Sequence, residues 1–307
     1  MSEVMRAAAF AEPGGPDVLK LMELPAPQAG PGQVRVRVRA AGVQPFDTAI
    51  RSGWLPQYLE EIPYPRIPGN EFAGVVDQVG ADVTGIAPGT EVLGFTALFS
   101  YAEYVVVPAA NVTAKPAGVP WEVAGGLTAG VQTAELAIDG MGLAGGETLL
   151  VHAAAGSVGT AAVQIARRRG ATVIGTARAA NHDYLRELGA IPVEYGEGLA
   201  DRVRALAPGG VHAALDGAGG HALEVSIELV KERERIVTLV EHAKAAGLGV
   251  RVVQGERSAE RLARYAALYA AGDFTWTVRR AYRLEEAADA HREVETGHGR
   301  GKVVLTI

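Results

Sequence analysis

The stretch Thr148-Leu149-Leu150-Val151-His152, followed by Ala153-Ala154-Ala155-Gly156-Ser157-Val158-Gly159, decides the fold: it reads as a buried strand, a tight small-residue turn and a helix start. The apolar run Leu149 to Val151 suits a parallel strand covered on both faces, and Ala161, Ala162, Val163, Ile165 and Ala166 continue as a closely packed helix. Gly156 and Gly159 let the backbone approach a ligand. The N–H groups around Ser157 and Val158, with the positive end of the helix dipole, would then hold a dinucleotide pyrophosphate. The pattern is AxxGxxG, with Ala153 where the usual fingerprint has its first glycine, so the turn alone is equally consistent with a plain strand-to-helix connection and its context must decide.

That context is an alternation of strands and helices. After Gly159 come a strand at Ala171 to Thr176, a helix that Asn181 would cap and Gly189 would end, and a short strand at Pro192 to Tyr195. Helix Ala200 to Leu206, strand Val211 to Asp216, helix His221 to Lys231 and strands Ile236 to Val240 and Val250 to Val253 follow. Six strands in this order imply an α/β fold with a doubly wound, six-stranded parallel sheet.

An acid about 20 residues past the turn would bind the ribose diol of NAD. None is present. Gly175-Thr176-Ala177-Arg178-Ala179-Ala180-Asn181 offers a hydroxyl and a guanidinium, which favour the 2′-phosphate of NADP(H); the alternative for Arg178 is a solvated surface charge.

The 307 residues, 48% apolar with a net charge of −6, fit an ordinary two-domain enzyme and argue against a nucleic-acid partner. The basic run Arg167-Arg168-Arg169 falls at a helix end, where cations complement the dipole. No apolar run approaches about 18 uncharged residues, and the N-terminus shows no signal-peptide pattern, so no membrane span is expected and the cytoplasm is the default. With no cysteine, the chain can form neither disulfides nor thiolate ligands.

The first 120 residues follow another grammar. Val34 to Val38, Phe72 to Val79, Glu91 to Phe95 and Tyr101 to Val107 read as strands joined by Pro and Gly, and residues 121 to 139 as a helix. After Val253 come an amphipathic helix Ala259 to Ala271, strand Thr277 to Arg283, helix Leu284 to Glu295 and strand Lys302 to Ile307, the last returning to pair in the first domain.

Five spaced segments carry a resemblance over nearly the whole chain. They are Ala41-Gly42-Val43-Gln44-Pro45-Phe46-Asp47 with Ile50-Arg51-Ser52-Gly53, Ile67-Pro68-Gly69-Asn70-Glu71-Phe72-Ala73-Gly74-Val75-Val76 with Tyr101-Ala102-Glu103-Tyr104, the Val151 to Gly159 turn, Asn181-His182-Asp183-Tyr184 with Leu188-Gly189-Ala190, and Gly297-His298-Gly299-Arg300-Gly301-Lys302. The chain resembles the zinc-independent medium-chain dehydrogenases/reductases of the quinone oxidoreductase (zeta-crystallin-like) branch. The resemblance implies a discontinuous GroES-like catalytic domain, placed at residues 1–121 and 257–307, a Rossmann domain at 122–256, a cleft between them and a homodimer.

Zinc-dependent relatives place a cysteine near the position of Gln44 and a histidine near that of Asn70, and carry four further cysteines in a structural lobe; all are missing here. Zinc would polarise an oxygen as a Lewis acid, so its loss favours acceptors that are already electrophilic, namely quinones and α,β-unsaturated carbonyls. Family members commonly have a tyrosine where this chain has Leu55, beside Trp54, which leaves the usual aromatic contact to nicotinamide in question.

Candidate substrate-cleft residues are Gln44, Trp54 and Tyr58, with Tyr64 and Asp47 as further possibilities. Gln44 would either donate a hydrogen bond to a substrate oxygen or bond its own loop; Trp54 and Tyr58 would line an apolar slot or merely pack a domain edge; Tyr58 or Tyr64 is a hypothetical proton donor; Asp47 reads as structural. Cofactor candidates are Gly156, Ser157, Val158, Gly159, Thr176, Arg178, Tyr195, Asp216, Gly217, Leu239 and Val240, with Glu241 placed either near the nicotinamide or in solvent. His152 reads as a packed core histidine. No metal ligand is assigned. The expected activity is NADPH-dependent reduction of a quinone or enone; the alternatives are a pathway-specific enoyl reductase and a non-catalytic NADPH-binding sensor.

Overall fold

The computed structural model describes residues 3–297 and 299–307; His298 of the closing motif lies outside them. The chain forms two compact units, Met1–Ala129 with Arg257–Ile307, and Gly130–Glu256.

The first unit opens on a hairpin, β1 (Val4–Ala9) against β2 (Lys20–Pro25), which the sequence pattern did not signal. Strand β3 (Gln33–Val43) runs directly into helix α1 (Pro45–Arg51), whose first position is a proline that needs no N–H partner there. Strands β4 (Glu71–Val79), β5 (Glu91–Phe95), β6 (Tyr104–Pro108) and β7 (Val112–Ala114) are antiparallel to their neighbours. Tyr101, read from the sequence as a strand start, lies before β6 with its ring fully buried.

Helix α2 (Trp121–Met141) then leads into β8 (Thr148–Val151), α3 (Ser157–Arg168), β9 (Thr172–Thr176), α4 (His182–Glu187), β10 (Ile191–Val193), α5 (Leu199–Leu206), β11 (Ala213–Asp216), α6 (His221–Leu229), β12 (Ile236–Thr238), α7 (His242–Leu248) and β13 (Arg251–Val252). The six strands pair in parallel in the order β10-β9-β8-β11-β12-β13, the doubly wound arrangement that the alternation predicts. Leu149, Leu150 and Val151 are inaccessible, as a strand covered on both faces requires. Asn181 precedes α4, but its side chain makes no capping bond, contrary to expectation; Gly189 closes that helix at φ +87°.

The C-terminal segment supplies α8 (Ala259–Ala270), β14 (Val278–Arg283), α9 (Ala287–Glu295) and β15 (Lys302–Thr306). As expected, β15 returns to the first unit, antiparallel to β3 and parallel to β14. Among the described residues no helix is long and apolar enough to cross a membrane.

Candidate functional site

In the parallel-sheet unit, β8 ends at Val151 and the chain turns sharply into α3. Ala153 carries the turn at φ +55°, a left-handed conformation that costs an L-residue about 1–2 kcal/mol and that glycine adopts freely. Gly159 is required by contact: a Cβ there would lie 2.5 Å from the Ala153 carbonyl oxygen and 2.6 Å from the Ala154 Cα. With Gly156 as N-cap, Ser157 and Val158 present first-turn N–H groups that have no intrahelical acceptor. These features fit a bound pyrophosphate.

The residues around the turn divide into supports and open groups. The Thr176 hydroxyl is buried; it accepts the Ala153 N–H at 3.3 Å and lies 3.4 Å from His152 Nδ1. His152 Nε2 is 3.0 Å from the Ser226 hydroxyl, and burial pushes the imidazole down to about 4, so the ring is neutral. Asp216 is sealed as well, accepting from the Ala218 and Gly219 N–H groups at 3.0 and 2.7 Å and from the Thr238 hydroxyl at 2.8 Å, which fixes the loop after β11. Glu241 accepts the Gly220 N–H at 3.0 Å and pairs with Lys244, and these partners hold its carboxyl below the usual range. Gly217 and Leu239 are half-buried and Val240 is exposed. Beyond the end of β9, Arg178 and Tyr195 are both exposed and joined, Arg178 Nε donating to the Tyr195 hydroxyl at 2.9 Å; that is the one hydrogen bond of the Arg178 side chain among the described residues.

The first unit holds a second polar centre, assembled by strand register. Val43 of β3 faces Val303 of β15, and Ala41 faces Phe72 of β4, so Gln44, Lys302, Asn70 and Glu71 meet at one end of three adjacent strands. Gly42 makes the space: a Cβ on it would lie 2.0 Å from Glu71 Oε1. Lys302 Nζ lies 2.5 Å from Glu71 Oε1 and donates to Gln44 Oε1 at 2.8 Å. Gln44 Nε2 donates to Asn70 Oδ1, and Glu71 Oε2 accepts the Ala129 N–H at 2.6 Å. Asp47, on the first turn of α1, accepts from the Gln44 N–H at 3.1 Å and from the Tyr101 hydroxyl at 3.0 Å. Complete burial pushes its carboxyl up to about 7, and the same burial with the Asp47 charge pushes the Tyr101 phenol well up. Arg257 Nη1 donates to the Asn70 carbonyl at 3.1 Å.

Sequence reasoning singled out Gln44 and Asp47 but missed Lys302, Glu71, Tyr101 and Arg257 as parts of this cluster. Among the described residues, no hydrogen bond or ring contact brings Trp54, Tyr58 or Tyr64 to Gln44. Trp54 packs edge-on against Phe46, Tyr64 lies under the Arg66 guanidinium, and Tyr58 is 73% exposed. A zinc ion does not fit the donor set at Gln44 and Asn70: both amides are engaged with each other, and a lysine ammonium occupies the adjoining position, where a dication would be repelled.

Residues 30–117 match the model of the alcohol dehydrogenase GroES-like domain, and residues 188–305 that of the zinc-binding dehydrogenase domain. The chain is 33% identical to a quinone oxidoreductase of Pseudomonas aeruginosa, over 96% of this chain and 98% of that protein. It is 36% identical to a segment of the pikromycin polyketide synthase component PikAII of Streptomyces venezuelae, covering 91% of this chain and 8% of the synthase. Of several curated relatives that it matches, the chain thus spans about half the length or less. The solved quinone oxidoreductase from Coxiella burnetii superimposes with a TM-score of 0.91 at 30% identity, covering 99% of this chain and all of that one. The chain belongs to the medium-chain dehydrogenase/reductase family, oxidoreductases that combine a GroES-like domain with a Rossmann domain binding a nicotinamide cofactor.

Proposed function

We propose that this protein is a cytoplasmic, homodimeric, NADPH-dependent reductase of quinones or α,β-unsaturated carbonyls that works without zinc. The observation that carries the reading is the Lys302, Gln44 and Asn70 chain: the two amides, at the positions where the resemblance implies metal ligands in zinc-dependent relatives, are engaged with each other, and an ammonium stands beside them. Without a Lewis acid the acceptor must itself be electrophilic, which conjugated carbonyls are.

The bound cofactor would supply a hydride and two electrons. Gly156, Ser157, Val158 and Gly159 would hold its pyrophosphate through backbone N–H groups at the start of α3. Asp216, Thr176 and Glu241 keep the surrounding loops in place through the bonds already described. Arg178 and Tyr195 would receive the 2′-phosphate, since both are exposed and no carboxylate competes for the guanidinium among the described residues. Gly217, Leu239 and Val240, after the fourth and fifth strands of the parallel sheet, would lie toward the nicotinamide. Trp54 and Tyr58 would offer aromatic surface to a planar acceptor.

A second reading, reduction of an enoyl thioester, is favoured by the similarity to the polyketide synthase segment. Both are tested by following NADPH and NADH oxidation against 1,4-benzoquinone, 9,10-phenanthrenequinone, a short-chain enone and a crotonyl thioester, after dialysis against EDTA, for the parent protein and Arg178→Ala. Turnover that survives chelation and prefers NADPH, with the preference lost in the variant, supports the proposal; the acceptor with the highest kcat/KM chooses between the readings. Tight NADPH binding with no turnover of any acceptor would favour a sensor instead. Light scattering checks the dimer.

A further inference from the structure

We propose that Asn70 is the hydrogen-bond donor to the substrate oxygen, and that Lys302 and Gln44 are positioning residues that lock its amide in the donating orientation. The inference rests on the reductase reading above and moves the donor role from Gln44 to Asn70.

The orientation follows from hydrogen-bond chemistry alone. A lysine ammonium only donates, so the Gln44 atom 2.8 Å from Lys302 Nζ is the amide oxygen, and the Gln44 amide nitrogen therefore faces Asn70. A donor must meet an acceptor, so the Asn70 atom turned toward Gln44 is Oδ1, and its NH2 group points the other way. Gln44 thus has both ends of its amide engaged. Asn70 Nδ2 makes no hydrogen bond among the described residues and is not one of the sealed polar atoms, so it stays open on the side away from Gln44 although the residue is only 4% exposed. A donor held in one orientation and left open in this way can bond a ligand oxygen in place of water.

The backbone is held as firmly as the amide. The Asn70 carbonyl accepts from the Thr96 N–H at 3.2 Å and from Arg257 Nη1 at 3.1 Å. Gly69, at φ +92°, packs where a Cβ would lie 2.2 Å from the Ser100 hydroxyl and 2.3 Å from the Tyr101 ring. Lys302 in turn is fixed by Glu71, which is fixed by the Ala129 N–H. The N–H of Asn70 is a preorganised neutral dipole, and such a donor stabilises a developing oxyanion without reorganising during the reaction.

In the balanced step, a hydride from the reduced cofactor forms a C–H bond at the β-carbon of the enone, the C=C π pair shifts, and an enolate results. Asn70 keeps its proton and only donates a hydrogen bond to the enolate oxygen, and water then protonates the α-carbon. The cofactor is oxidised and the acceptor reduced by two electrons.

The test compares the parent protein with Asn70→Asp, Asn70→Leu and Gln44→Glu. The first two remove the donor. Gln44→Glu keeps an acceptor for Lys302 but offers Asn70 a second acceptor, so the Asn70 amide should turn over and present its oxygen outward. The expected result is a loss of about 100-fold in kcat for the enone in all three variants, with KM for NADPH within about twofold. Benzoquinone, whose reduction is strongly downhill and needs less help at oxygen, should lose less than tenfold. A second readout needs no turnover: 4-nitrophenolate, a stable oxyanion followed by its absorbance, should bind the NADP+-loaded parent protein at least tenfold more tightly than Asn70→Asp or Gln44→Glu. An equal loss for both acceptors together with a lowered melting temperature would overturn the proposal in favour of a structural role, as would unchanged kcat, or nitrophenolate binding that is absent in the parent or equal in the variants. If the parent protein reduces none of the acceptors, the reductase reading falls, and the nitrophenolate comparison still decides whether Asn70 is an oxyanion donor.

Discussion

At the Gly156 turn the polar groups that matter are backbone amides and a few hydroxyls, and those buried there, Thr176, His152, Ser226 and Asp216, are bonded to neighbours within the same unit. At the Gln44 end of β3 they are charges: a lysine 1% exposed and a glutamate fully buried share one contact, with Asp47 sealed beside them. The first arrangement is built from local chain geometry and asks little of distant sequence. The second depends on residues 258 apart meeting across strands, and its stability rests on every partner being present.

That difference sets the largest predicted effect. Lys302→Met leaves the Glu71 carboxylate buried without its counterion and should destabilise the fold by about 3–5 kcal/mol, measured by urea unfolding. Adding Glu71→Gln should recover part of the loss, because a neutral pair removes the uncompensated charge. If Lys302→Met costs less than about 1 kcal/mol, water reaches the cluster and the contrast between the two centres disappears.

Acid and base should pull the two centres in opposite directions. The Asp47 carboxyl, raised to about 7 by burial, contributes stability that is fully present below its ordinary range near 4 and is lost as the pH rises through 7. His152, lowered to about 4 by burial, contributes stability that is present above 6.5 and is lost as the pH falls toward 4. Each effect is up to about 3–4 kcal/mol at full extent. Melting curves between pH 4 and 7 should therefore show stability rising more steeply with pH in Asp47→Asn than in the parent, and less steeply in His152→Asn. Identical profiles for the parent and both variants would mean that neither group titrates where its burial puts it.

What could be read from the sequence follows the same division. The strand, the turn and the helix of the cofactor centre are contiguous, and their periodicity and glycines announce them, so the six-stranded, doubly wound parallel sheet came out as expected. The supports of that turn were less legible: Thr176, Asp216 and Glu241 lie at strand ends, where a ligand contact and a loop anchor look alike until the hydrogen bonds are seen. At the other centre, Gln44 and Asn70 stood out because the resemblance marked their positions. Nothing near residue 302 pointed to residue 44, since only the pairing of β15 with β3 brings them together. Tyr101 was hidden in the same way, being taken for the beginning of a strand when its hydroxyl anchors Asp47.

Gly159→Ala tests the backbone-built centre directly. The added Cβ must displace the Ala153 carbonyl, at 2.5 Å, or the Ala154 Cα, at 2.6 Å, neither of which is a flexible side-chain end. Overpacking of this kind costs about 1–3 kcal/mol, and the shifted turn should weaken NADPH binding by tenfold or more in a fluorescence titration. Normal affinity would show that the turn has slack that its close packing does not suggest.

The smallest effect is the most pointed. Ala153 holds a left-handed conformation at the position where the usual fingerprint has glycine, and its Cβ carries a steric penalty of about 1–2 kcal/mol there. Ala153→Gly removes the penalty but gives the unfolded chain more freedom, which returns about 0.5–1 kcal/mol, so the net gain should be at most about 1 kcal/mol. Because the N–H groups of Ser157 and Val158 are set by α3 and not by the Ala153 side chain, NADPH affinity should stay within about twofold while the melting temperature rises slightly. A fall in affinity would mean that the Ala153 methyl group itself shapes the cofactor site, and the turn would then depend on side-chain packing as the Lys302 cluster does.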